Sequence, residues 1–373
     1  MKKKIKLKKK VKIILVIIFL ILIIVTIPLG INLYTKNKLL KLNYSLVSVK
    51  NIMDKEKKDY IYEVGYIKTL DVAFSSNDYK EKFLKSYEVI PYQEQEDFIA
   101  NVNTLLEKGY TNEEVILITS RGNNESVTLF ASREKVDDIK DYMQFEYASL
   151  ENYDRYVSYQ LKEREDEENT VTFVEIGLDL PVFENANIIE DFNITLLANK
   201  YNKLSENYVP DDLMKIKDEF SKDDEQMLSK IACVAFEEMA TKALEENIYI
   251  EANSAYRSYE TQQEVYDENK NLHGLQYAEN YVARAGFSEH QTGLALDIKS
   301  KDTNVFSNSD EYSWVKENAH LYGFIMRYPK GKEYITGYKY ESWHYRYVGV
   351  DIATYIYEND ITYDEYYVRF LAK

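Results

Sequence analysis

Two imidazoles and two carboxylates carry the clearest chemistry in this chain. His290 and Asp297 flank Gly293, and far downstream His344 follows Glu341 by three residues. Two nitrogen donors and one oxygen donor at His290, Asp297 and His344 make a divided three-ligand zinc site with a fourth position open to water, as catalytic zinc requires. Glu341, not needed as a ligand, stands free to serve as a base. A structural zinc would draw on four closed ligands dominated by cysteine, and the chain has only Cys233.

Elements must bring these side chains together. Residues 294–298 alternate as a strand does, which projects Asp297 from one face and sends Leu296 and Ile298 into a core. Gly293 lets the chain turn between the two ligands. Residues 340–348, rich in aromatic and β-branched types, predict a second strand with a bulge near Trp343, which holds Glu341 and His344 near one mouth. Upstream, residues 170–176 read as a strand, 224–246 as a long helix and 248–252 as a strand leading to Tyr256-Arg257-Ser258. The other histidines read as bystanders: His320 near the end of a helix that runs into Gly323, and His273 in a polar loop. Cys233, in the apolar run 231–236, reads as a buried helix cysteine.

The pattern Ser288-x-His290-x-x-Gly293-x-Ala295-x-Asp297, paired with Glu341-x-Trp343-His344 and preceded by Tyr256-Arg257-Ser258, resembles the VanY-type zinc carboxypeptidases of bacterial peptidoglycan. The resemblance spans residues 190–350, with further signature blocks at Gly323 to Pro329 and Trp343 to Gly349. It implies zinc on His290, Asp297 and His344, and Glu341 as the base that takes a proton from zinc-bound water. It also implies Arg257 against the developing oxyanion or the terminal carboxylate of the peptide, and Gln262 and Ser288 along the substrate pocket. The family usually has proline where this chain has Ala285 and Ser342, positions that do not ligate metal. The implied fold is α+β of the hedgehog/DD-peptidase-like kind, with helices packed on a small, mostly antiparallel sheet. The implied reaction is removal of the terminal D-alanine from a stem peptide, whether the D-Ala-D-Ala bond of a pentapeptide or the L,D bond of a tetrapeptide. A non-catalytic wall-peptide receptor is the other reading, and the presence of Glu341 argues against it.

The amino terminus sets the compartment. Residues 1–12 carry eight lysines and no acid, and residues 13–31 are an apolar run long enough to span hydrocarbon as a helix. Lysines ahead of the span stay in the cytoplasm, which places the remainder outside the cell as a single-pass membrane protein. The run is longer than a signal-peptide core and no small-residue cleavage site follows it. Taking the eight tail lysines from the formal net charge of −16 leaves −24 for the rest, an acidity that argues against nucleic acid as a partner. One cysteine permits no internal disulfide, so the outer part depends on its core.

Residues 45–165 read as a mostly helical stalk or wall-positioning domain ahead of a catalytic domain at 170–373. A helix over 97–107 presents Phe98, Val102, Leu105 and Leu106 on one face and ends at Gly109, and Thr111 with Glu114 forms a capping box for the next helix. An echo between Glu63-Val64-Gly65-Tyr66 and Glu107-Lys108-Gly109-Tyr110 suggests a repeated helical unit. The charged run 162–169 marks the expected boundary.

Overall fold

The computed structural model describes residues 2–190, 193–223, 225–300 and 305–372, with side chains from residue 9 onward. Two compact units divide the chain, Met1–Gln144 with Ser149–Glu151, and Phe145–Ala148 with Asn152–Lys373. This division falls ahead of the charged run at 162–169. There the helix Tyr153–Glu163 ends at Arg164, whose φ is +61°, and Asp166 caps the helix Glu167–Ile176 by accepting from the Asn169 amide. The acidic run is therefore a tight connection between two helices.

Among its described residues, every regular element of the first unit is a helix. Its opening helix, Lys2–Lys41, contains a stretch of mean hydropathy 3.3 with none of it buried, and is long and apolar enough to cross a membrane by length and composition. The side chains of the first five tail lysines lie outside the described residues. Short helices follow. The helix Phe98–Glu107 buries Phe98, Val102 and Leu105 as its periodicity predicts, while Leu106, expected on the same face, is only half-buried. Thr111 and Glu114 form the expected reciprocal cap, with the Thr111 amide donating to Glu114 at 2.6 Å. Gly65 and Gly109 both follow helices with positive φ, +78° and +89°, so the echoed sequence marks the same kind of helix ending twice.

Among its described residues the second unit holds eight strands: β1 (Asn187–Ile188), β2 (Asn202–Lys203), β3 (Leu213–Lys215), β4 (Met227–Ser229), β5 (Ile250–Ser254), β6 (Ala295–Ser300), β7 (Phe324–Met326) and β8 (His344–Tyr347). The last four form one sheet in the order β5-β6-β8-β7, every neighbouring pair antiparallel. Alternation along β6 sends Leu296 and Ile298 into the core. The helix Lys230–Glu245 packs there through Cys233, Phe236, Met239 and Ala240, joined by Phe324 and Tyr345 from β7 and β8. Leu296 pairs with Tyr345 on that apolar side, while Asp297 pairs with His344 on the other. The register thus delivers two candidate ligands side by side. The fold is mixed helix and sheet, with an antiparallel four-stranded sheet, as the α+β expectation has it.

Three local expectations are corrected. Residues 170–176 are not a strand but most of the helix Glu167–Ile176. Its ends are fixed by Asp166 and by Gly177 at φ +99°, and its β-branched residues are accommodated because Thr170, Val171, Thr172 and Val174 are buried against neighbours. Thr172 even returns its hydroxyl to the Glu168 carbonyl. Residue 224 lies outside the described residues, and the long helix expected from there begins only at Lys230, because Met227–Ser229 pairs as β4. The strand expected over 340–348 covers only His344–Tyr347, and the register irregularity falls in β5 between Ala252 and Ser254 instead of near Trp343.

Candidate active site

His290 sits in the short 3-10 turn Glu289–Thr292, opened by Ser288, whose hydroxyl accepts from the His290 amide at 3.3 Å. Gly293 closes the turn at φ +69°, where a Cβ would stand 3.1 Å from the Ser229 nitrogen. Both facts require glycine: the backbone is left-handed and the space is taken. The turn aims the imidazole by a bond from its Nδ1–H to the Ala255 carbonyl at 2.6 Å, leaving Nε2 3.4 Å from Asp297 Oδ1. His344 opens β8 and presents Nδ1 to the same oxygen at 3.3 Å. One ligand atom from each of His290, Asp297 and His344 lies within 4.8 Å of the others.

This cluster fits a divalent cation on its own chemistry. Asp297 Oδ1 is buried without a hydrogen-bond partner although two imidazole nitrogens face it, which is the arrangement left when a shared positive charge is expected between donors. Burial alone would raise the Asp297 carboxyl, but His290 and His344 outweigh it and hold it well below the usual carboxylate range. His290 is lowered by burial and then by Arg257, which favours the neutral ring that a metal needs. His344 goes the other way. Burial opposes its charge, yet Asp297 and Glu289 raise it to about 9 in the metal-free protein. Metal binding there must therefore displace a proton.

Glu341 lies in the loop before β8, held by its amide on the Tyr328 carbonyl at 3.1 Å, and its Oε2 is 3.7 Å from His344 Nδ1. The residue is only 7% exposed, and burial pushes its carboxyl up to about 8. A buried carboxyl with an elevated pKa beside a cation site has the range needed to take and return a proton near neutrality.

Arg257 follows β5. Its Nη1 donates to Gln262 Oε1 at 2.7 Å and its Nη2 to Ser254 Oγ at 2.8 Å, and Nη2 stands 3.5 Å from Asp297 Oδ2. Gln262 is fixed in turn by donating to the Ala283 carbonyl at 2.6 Å. One cavity collects Arg257, Gln262, Ser288, His290, Asp297, Glu341 and His344, with Tyr281, Tyr328, Tyr338 and Trp343 completing its wall. All seven residues singled out in the sequence meet there. Ala285 and Ser342, the two departures from proline, do not line it.

The bystanders stand apart. Cys233 is buried in its helix, and burial raises its thiol to about 12. His320 stacks on Tyr357 at 4.1 Å between ring centres, and neither it nor His273 reaches the cavity. Sequence reasoning missed Glu289, which lies between two singled-out residues, together with Arg327 and Arg346 from the signature blocks. These three form one buried ion cluster beneath His344.

By its relatives the chain falls in a class, the carboxypeptidases. The family model for VanY, D-alanyl-D-alanine carboxypeptidase, matches residues 225–350. The putative carboxypeptidase YodJ of Bacillus subtilis (strain 168) is 43% identical over 185 residues, which is 48% of this chain and 68% of that protein. The bifunctional D-Ala-D-Ala dipeptidase and D-Ala-D-Ala carboxypeptidase VanXYC of Enterococcus gallinarum is 32% identical over 182 residues, 47% of this chain and 94% of its own. Among solved structures, that of the LdcB LD-carboxypeptidase is 40% identical and covers 50% of this chain and 91% of its own, with a TM-score of 0.47. The chain belongs to the VanY D-alanyl-D-alanine carboxypeptidase family.

Proposed function

We propose that this protein is a membrane-anchored zinc carboxypeptidase that removes the terminal D-alanine from peptidoglycan stem peptides outside the cell. The observation that carries the reading is the meeting of His290, Asp297 and His344 around one unpartnered carboxylate oxygen, with buried Glu341 beside them. His290 Nε2, Asp297 Oδ1 and His344 Nδ1 would hold the ion. A zinc ion held there would supply a water of lowered pKa and polarise the scissile carbonyl.

The chain's own residues do the rest. Glu341 takes the proton of the attacking water and returns it to the leaving amine, for which a carboxyl near neutrality suits both halves. Arg257 lines the cavity with its fork already pinned by Gln262 and Ser254 before substrate arrives. A fixed guanidinium there stabilises the oxyanion or anchors the terminal carboxylate of the peptide. Ser288 and Gln262 offer a hydroxyl and an amide along the same wall. Trp343, 39% exposed at the cavity, gives the upstream part of the peptide an apolar surface.

The membrane part rests on the helix Lys2–Lys41 and the lysines that precede its apolar stretch, a pattern that keeps the tail in the cytoplasm. The first unit then serves as stalk or wall-positioning domain. Glu341→Gln in the full chain tests the catalytic part: the enzyme should retain fold and one zinc per chain while turnover falls by orders of magnitude. Unchanged turnover would sink the assignment of the base, and tight peptide binding with no turnover in the wild type would favour a receptor.

A further inference from the structure

His344 has two ring nitrogens, and the reading above uses only Nδ1, which faces Asp297. If Nδ1 binds a metal, the neutral ring carries its proton on Nε2, and that proton needs an acceptor in a fully buried site. Nε2 faces Glu289 Oε2 at 3.6 Å, and these two atoms are both buried and both without a hydrogen-bond partner. The other oxygen of Glu289 is saturated. Oε1 accepts from Arg327 Nε at 2.8 Å and from Arg346 Nη1 at 3.1 Å.

The surroundings hold that carboxylate rigidly. Arg327 donates through Nη1 to Asp364 at 2.6 Å, and Asp364 accepts from Asn199 at 2.8 Å. Arg346 donates through Nη2 to the Leu196 carbonyl at 2.8 Å and through Nε to the Tyr347 carbonyl at 3.0 Å. The side chains of Glu289, Arg327 and Arg346 are all fully buried. Two guanidinium groups therefore fix one oxygen of Glu289, and the second oxygen is left facing His344 Nε2. The gap is about 0.7 Å longer than an ordinary N–H···O bond.

We propose that Glu289 is a positioning residue for the metal centre: its free oxygen accepts the Nε2 proton of His344, fixing the tautomer and orientation in which Nδ1 ligates. The two histidines would then be oriented differently, His290 by the neutral Ala255 carbonyl and His344 by a carboxylate, which makes His344 the more basic ligand. The proposal rests on the zinc reading above. The competing role is purely structural, in which Glu289 only neutralises two buried arginines.

The test compares zinc dissociation constants of the detergent-solubilised full chain, measured by chelator competition, for wild type, Glu289→Gln, Glu289→Asp and Asp364→Asn, together with the visible spectrum of the cobalt-substituted proteins. Glu289→Asp keeps the charge between the arginines and retracts the acceptor, so it preserves the fold if charge neutrality is what the fold needs. Both Glu289 variants should bind zinc about 10- to 100-fold more weakly and shift the cobalt absorption. Asp364→Asn removes a carboxylate from the same network without touching His344, and should keep zinc affinity within a few-fold of wild type. Equal weakening in Asp364→Asn would assign Glu289 the structural role, and wild-type affinity in both Glu289 variants would overturn the proposal. A wild type that holds no stoichiometric zinc would instead overturn the zinc reading itself.

Discussion

Glu341 offers a stability measurement that needs no substrate. Its carboxyl is raised from 4.5 to about 8 in the metal-free fold, chiefly by burial. In the unfolded chain it titrates near its ordinary value, so between these limits the folded state binds a proton that the unfolded state has lost. A group raised in this way contributes stability that is fully present below the unfolded pKa and is lost as pH rises through the folded one. The slope is about 1.4 kcal/mol per pH unit, which gives about 3 kcal/mol between pH 5 and pH 7.5. Glu341→Gln keeps the shape and cannot ionise. Metal-free wild type should therefore lose about 3 kcal/mol relative to the variant across that window, and the two should converge near pH 4.5. Both tryptophans, Trp314 and Trp343, lie in the second unit, so tryptophan fluorescence in a urea titration reports that unit by itself. Saturating zinc should shrink the difference, because a dication beside Glu341 favours the carboxylate. A wild-type-minus-variant difference that stays flat from pH 5 to pH 7.5 without metal would refute the assigned environment of this side chain.

Other outcomes follow from the same geometry. Arg257→Lys replaces a fork pinned on Gln262 and Ser254 with a mobile point charge; kcat/KM should fall about 100- to 1000-fold while zinc content stays at wild type. Phe236→Ala opens a hole in the fully buried core between the helix Lys230–Glu245 and the sheet, and should cost the second unit about 3 to 5 kcal/mol in the same fluorescence assay. Deleting residues 2–41 should move the protein from the membrane fraction to the soluble fraction of fractionated cells, whereas retention in membranes would show that the helix is not the anchor.

The site was legible in the sequence to the extent that its chemistry is local. His290, Gly293 and Asp297 lie in a turn and strand whose alternation and glycine announce themselves, and the Thr111 and Glu114 cap was readable because both partners sit within four residues. Non-local packing was not legible. The β-branched stretch at 170–176 favours a strand by intrinsic preference, and becomes a helix because Asp166 and Gly177 cap it and neighbours bury it. β8 is shorter than its aromatic pattern suggests, since the pairing with Asp297 begins only at His344 and leaves Glu341 on a loop. Glu289 illustrates the same limit at the site itself: in sequence it is one acid between Ser288 and His290, and its significance depends on two arginines that arrive from β8 and from the segment just after β7.

The most direct test of the account is release of D-alanine from synthetic stem pentapeptide and tetrapeptide by the purified full chain, followed by mass spectrometry with zinc and separately with chelator. The account predicts loss of a single terminal D-alanine from one of these peptides with zinc and none with chelator, and the peptide that reacts names the bond. No release from either peptide by protein that holds one zinc per chain would contradict it.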